Sequence, residues 1–146
     1  MILLLSVTSI FADNKTKKIK GPITITSDML TADNQARTAL FEKSVIARTT
    51  EMTIYADRML VQYDKNTGNV ARIDATGAVK VATTNRVITS ADAVYYAGEE
   101  KIVFTGEPKA VEGQNVVTGK KMTYLMNEDR FLVEGSKVFL TDKKEQ

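Results

Sequence analysis

The sequence predicts an all-β chain of roughly sixteen short strands folded as a sandwich, a jelly roll or a solenoid-like roll. Three observations carry this. Apolar residues fall at every second position in runs rich in β-branched and aromatic types, as in Arg58-Met59-Leu60-Val61-Gln62-Tyr63, which is the alternation of strands with one buried face. The unit Met52 to Tyr63, two such runs meeting at the small-residue corner Ala56-Asp57, returns in weaker copies about 30 residues apart, a spacing of stacked supersecondary units. No window of about a dozen residues follows the 3.6-residue period of a helix.

The copies are Ile25 to Leu30 before the unit, and Thr89 to Tyr96 and Val117 to Tyr124 after it. Downstream of each of the last three corners comes a glycine anchor: Ala75-Thr76-Gly77, Phe104-Thr105-Gly106 and Val133-Glu134-Gly135. In the first copy Phe41-Glu42-Lys43 holds the equivalent place.

Taken in order, Gly21-Pro22 opens the first strand, Ile23 to Thr26, and a proline there suits an edge strand because it offers no ladder donor. Asp28 to Ala32, Arg37 to Phe41 and Val45 to Thr49 follow. After the central unit, Asn66-Thr67-Gly68-Asn69 is a tight turn whose Gly and Asn accept positive φ. Val70 to Ala75 and Ala78 to Thr83 are expected to pair across Gly77, and Val87 to Thr89, Asp92 to Tyr96 and Lys101 to Phe104 repeat the pattern. Pro108 marks an edge or bulge. Asn115 to Thr118, Lys121 to Met126, Arg130 to Val133 and Lys137 to Leu140 complete residues 21–141, and 142–146 form a polar tail.

At 146 residues with 26% charged and a net charge of +2, the chain has the size of one domain and lacks the basic surplus of a nucleic-acid binder. It contains neither Cys nor His, which removes disulfides, thiolate zinc sites, cysteine nucleophiles and imidazole acid–base chemistry together. Residues 1–12 are uncharged and largely apolar, too short to span a bilayer as a helix, and read as the apolar core of a truncated or mis-started signal peptide ending at Ala12. Residues 13–20 are a polar connector.

Among polar residues the corner carboxylates Asp28, Asp57 and Asp92 are the most regular. They lack the glycine-rich spacing of calcium-binding β-rolls, and as equivalents along one rim they do not face each other as an acid–base pair. Backbone capping at a bend is the expected role, and Lys120 at the fourth corner is tolerated by a turn but not by a metal ligand set. No serine has a histidine partner and no glycine-rich loop precedes a helix, so no catalytic residue, metal or cofactor is expected. The aromatics could form a stacking platform for single strands, but several fall on the inward face, where packing accounts for them. Ile23, Ile25, Leu30, Phe41, Met52, Ile54, Met59, Val61, Val94, Tyr96, Ile102, Phe104, Met122, Tyr124, Phe131 and Val133 are expected to line the space between sheets. Flexible Met52, Met59 and Met122 suit either a filled core or a shifting apolar guest.

Pro22-Ile23-Thr24-Ile25-Thr26-Ser27-Asp28, Ile54-Tyr55-Ala56-Asp57-Arg58-Met59, the Phe104-Thr105-Gly106 turn and Lys120 to Leu125, in that order and spacing, resemble the LptA/OstA family of lipopolysaccharide-transport proteins over about residues 20 to 140. The resemblance implies a twisted β-jellyroll with an open apolar interior that holds acyl chains of the lipid A part of lipopolysaccharide. It implies a periplasmic module of a bridge from inner to outer membrane, joined head to tail, with LptC-like and LptD-like proteins at its ends. Length and the signal-like start favour the free periplasmic form over the membrane-anchored LptC type or the barrel-fused LptD type. On this reading Ile25, Leu30, Phe41, Ile54, Met59, Val61, Tyr96, Phe104, Met122 and Tyr124 contact lipid. Pro22, Ile23 and Ile25 form one joint, and Phe131, Val133, Val138 and Leu140 the other. The competing readings are an edge-polymerising scaffold without cargo and a polysaccharide hydrolase.

Overall fold

Residues 22–141 are described by the computed structural model; the signal-like segment 1–12, the connector 13–20 and the tail 142–146 lie outside them. Twelve strands follow one another: β1 (Thr24–Thr26), β2 (Met29–Asp33), β3 (Thr38–Arg48), β4 (Thr53–Tyr63), β5 (Val70–Ala82), β6 (Val87–Tyr96), β7 (Lys101–Thr105), β8 (Lys109–Glu112), β9 (Asn115–Thr118), β10 (Lys121–Leu125), β11 (Arg130–Glu134) and β12 (Lys137–Phe139). All pairings are antiparallel and belong to one sheet. The sheet does not close. β1 and β2 pair only with β3 at one end, β11 only with β10 and β12 only with β9 at the other.

The expected sixteen segments and the observed twelve strands are reconciled at the corners. Pairing register shifts between Glu42 and Val45 in β3, Tyr55 and Arg58 in β4, and Thr76 and Val79 in β5; in β6 Ser90 and Asp92 flank the same shift. These four strands therefore bend without ending, each running through a bulge from one leaf of the sheet to the other. Val70 to Ala75 and Ala78 to Thr83 do not pair across Gly77, as the sequence suggests; they are consecutive halves of β5. The first leaf holds β2, β7, β10 and β11 with one half of each bent strand. The second holds β1, β8, β9 and β12 with the other halves.

Positive φ at one anchor per repeat, Lys43 (67°), Gly77 (83°), Gly106 (78°) and Gly135 (64°), builds the corners into a spine. Lys43 thus takes the backbone conformation of the glycine it replaces, at a cost of about 1–2 kcal/mol for a side-chain-bearing residue. At Gly106 a second constraint applies: a Cβ there would overlap that of Ala91 on the preceding corner, whose N–H donates to the Gly106 carbonyl at 3.0 Å.

Capping falls elsewhere than expected. The carboxylates of Asp28, Asp57 and Asp92 make no hydrogen bond among the described residues. The caps sit at the opposite ends of the strands, where Asp33 Oδ1 accepts from the N–H groups of Gln35 and Ala36 (3.0 and 2.9 Å) and Asp64 Oδ1 from those of Asn66 and Thr67 (2.7 and 3.0 Å). At a bulge the ladder of the neighbouring strand resumes at once, whereas a hairpin tip leaves amides without a strand partner.

Candidate functional site

Across the first leaf the register aligns Leu30, Phe41, Met59, Ala75, Ala93, Phe104, Met122 and Val133 in one row. Across the second it aligns Ile25, Ala47, Ile54, Val81, Ile88, Ala110, Val117 and Val138. Every residue in both rows is apolar because strand alternation keeps one face inward through all seven pairings of each row. Met59, Phe104 and Met122 are almost wholly buried. Ala75 and Ala93, side by side between Met59 and Phe104, and Ala47 and Ala110, each between larger residues, leave room inside.

That room forms three successive spaces between the leaves. A narrow one of about 40 Å³ is lined by Ile23, Ile25, Ala47, Ile54, Met59, Ile73, Tyr95, Val81 and Ile102 among others. Val81 and Ile102 also line the next, of about 290 Å³, with Met52, Phe104, Tyr124, Phe131 and the Thr83–Arg86 turn. Arg86 and Phe131 are shared in turn with a third, also about 290 Å³, which reaches Val117, Met122, Val133 and Leu140. The apolar interior therefore runs from the edge strand β1 to the last strands of the sheet, and it is open along the side opposite the corner spine, where the hairpin tips lie.

Of the sequence-predicted contacts, Ile25, Ile54, Met59, Phe104, Met122 and Tyr124 line these spaces. Val61 is buried on the same face, in register with Ala39 and Ile73. Phe41 and Leu30 face inward at the β2 end, beside a separate shallow recess, with Leu30 57% exposed. Tyr96 and Val94 are corrections. Tyr96 pairs with Arg72 and Lys101 and lies between them, each cation 5.2 Å from the ring, on the outer face; Val94 shares that face, opposite Asp74 and Val103. The inward aromatic is Tyr95, next to Ile73 and Ile102.

Of the expected joint residues, Pro22 and Ile23 at one end and Val138 and Leu140 at the other are exposed, with Leu140 71% so. Ile25, Phe131 and Val133 are half-buried on the inner face of the edge strands. Both ends of the sheet thus offer unpaired backbone with apolar side chains beside it.

Among the described residues, hydrogen-bonded polar side chains gather toward the β11 end of the interior. The Tyr124 ring stacks on Phe131, with centroids 4.5 Å apart and planes 13° from parallel, and its hydroxyl donates to Asp129 Oδ1 at 3.0 Å. Burial first, and then the Asp129 bond, push this phenol up to about 12. On the other face of Phe131 lies the Arg86 guanidinium, 4.5 Å from the ring centroid, and Arg86 Nη2 donates to Glu112 Oε2 at 3.1 Å. Sequence reading missed Arg86 and Glu112, whose only signal is that each sits at a hairpin tip. No cluster of three or more Asp or Glu suited to a metal ion occurs among the described residues. The site's chemistry is that of an apolar trough with one cation at its rim.

The model of the LptA/(LptD N-terminal domain) LPS transport proteins matches residues 24–130. The chain belongs to this family. Its members are transport proteins rather than enzymes. The fold is similar to the crystal structure of LptH from Pseudomonas aeruginosa, described as the LptA-homologous periplasmic component of the conserved lipopolysaccharide transport device. The TM-score is 0.76 at 12% identity, over 86% of this chain and 99% of that one. No curated protein sequence matches the chain. Fold has thus persisted where side chains have not, as expected when the pattern is selected more than the residue.

Proposed function

We propose that this chain is a periplasmic carrier and bridge module that passes lipopolysaccharide from the inner to the outer membrane, with the acyl chains in the trough between the leaves. The observation that carries the reading is an apolar interior continuing from Ile25 to Leu140 within a transport family. Moving acyl carbon into water costs about 0.8 kcal/mol per CH₂, so one chain of about a dozen carbons costs on the order of 9 kcal/mol. A trough that continues from one module to the next removes that barrier.

The open ends supply the continuity. β1 and β2 at one end and β11 and β12 at the other are different edges, and contact between unlike edges is heterologous and propagates without closing. On this reading LptC-like and LptD-like proteins meet the two ends and copies of the chain associate head to tail; the unlike open edges support it.

A photo-crosslinker at inward Ile54 should capture lipopolysaccharide, and one at its outward neighbour Tyr55 should not. Equal capture at both positions would refute a lined trough; filaments without uptake would favour a bare scaffold, and sugar cleavage a hydrolase. Ile25→Asp should weaken association by placing a carboxylate on the lining at the joint. Normal association and export by that variant would exclude β1 as a joint.

A further inference from the structure

Two side chains separate the second and third spaces of the trough: Arg86 and Phe131 line both. Arg86 follows the β5–β6 turn on the second leaf, where its own N–H donates to Thr83 Oγ1 at 3.2 Å. Phe131 lies on β11 of the first leaf. The guanidinium therefore crosses from one leaf to the other and lies over the ring, 4.5 Å from its centroid, with Glu112 of β8 as its ion-pair partner. Its side chain is 30% exposed and that of Glu112 49%, so the contact closes the trough at its rim and not in its depth.

We propose that Arg86 is a passage-controlling strap, whose guanidinium releases Phe131 and Glu112 before an acyl chain can run from the Ile54 half of the trough into the Val117 half. The inference rests on the carrier reading above. Release is cheap because an ion pair this exposed is worth little, and a partly exposed cation over a half-buried ring adds only modestly to it. A few methylenes laid on the vacated ring offset the loss. The chain and the guanidinium compete for one ring face, so the loaded state has the differential contact that a population shift requires.

The experiment uses the full chain with lipopolysaccharide as the probe. In the empty protein the Arg86 Nε–H resonance should be displaced upfield by the Phe131 ring, a displacement absent in Phe131→Leu. On loading, verified by a crosslinker at Ile54, it should return to the position of a free arginine. Arg86→Ala should speed capture at Val117 by about fivefold without changing capture at Ile54. Glu112→Gln, which keeps the size of the side chain and removes its charge, should speed it less. An Arg86 signal that stays displaced while Ile54 captures lipid overturns the strap and leaves the carrier reading standing. Unchanged Val117 capture in both variants does the same. No capture at Ile54 overturns the carrier reading, and the strap with it.

Discussion

The two halves of the trough are built from the same repeat and differ in what they admit. Toward β1 the lining is aliphatic apart from Tyr95, and Thr49 is its one hydroxyl-bearing rim residue. Toward β11 the inward face carries the stacked Tyr124 and Phe131, and the rim adds Arg86, Glu112 and Asn115. The difference teaches that alternation fixes which face is inward but not how that face ends. Where hairpin tips lie over the interior, polar side chains reach back into it.

A buried charge tests this most severely. Val81→Asp, in the aliphatic half at 5% exposure, should cost about 4 kcal/mol at pH 7, the cost of keeping a carboxyl neutral about three units above its ordinary pKa. Val117→Asp, half-buried in a cavity that Arg86 also lines, should cost about 1–3 kcal/mol. Urea unfolding of both variants measures the gap. Equal losses would mean the halves are equally dry.

Next in size is the contrast between spine and tip. Gly106→Val meets both a positive φ and the Ala91 Cβ, and should destabilise by about 1–3 kcal/mol or more. Gly68→Ala, at φ 73° in the β4–β5 turn with open space around it, should lose only about 1–2 kcal/mol, from the backbone alone. Thermal melts rank the two, and the reverse order would displace the corners as the framework of the roll.

The smallest effect separates the two inward tyrosines. Tyr95 is raised by burial and then by the Glu100 charge, Tyr124 by burial and then by its bond to Asp129. Both phenols therefore ionise later in the folded chain than in the unfolded one, near 10. Their contribution to stability is complete below pH 10 and is lost as pH climbs through the folded values, about 12 for Tyr124. Ultraviolet titration should show Glu100→Gln lowering Tyr95 alone and Asp129→Asn lowering Tyr124 alone. Crossed effects would join the two halves electrostatically.

By itself the sequence determined the β character, the repeat and the corners, because each is local: alternation marks a strand, and an anchor residue marks a backbone that turns with positive φ, even at Lys43, where the glycine is absent. Most of the inward row was legible for the same reason, since Arg58 and Gln62 bound Met59-Leu60-Val61, and Lys101 and Thr105 bound Ile102-Val103-Phe104, which fixes their phase. Ala93-Val94-Tyr95-Tyr96 has a polar neighbour, Asp92, on one side only and runs on into Ala97. A run of apolar residues bounded at one end only gives two tyrosines equal claim to the inner face, and the pairing of Ala93 with Phe104 and Ala75 turned Tyr95 inward and Tyr96 out. Tertiary structure likewise decided that four strands continue through their corners, because a bulge and a turn look alike until the partner strand is known. It also placed Arg86 against Phe131, 45 residues apart in the numbering: a contact between two leaves depends on how the sheet folds over itself, and neither residue's neighbours in sequence carry a trace of it.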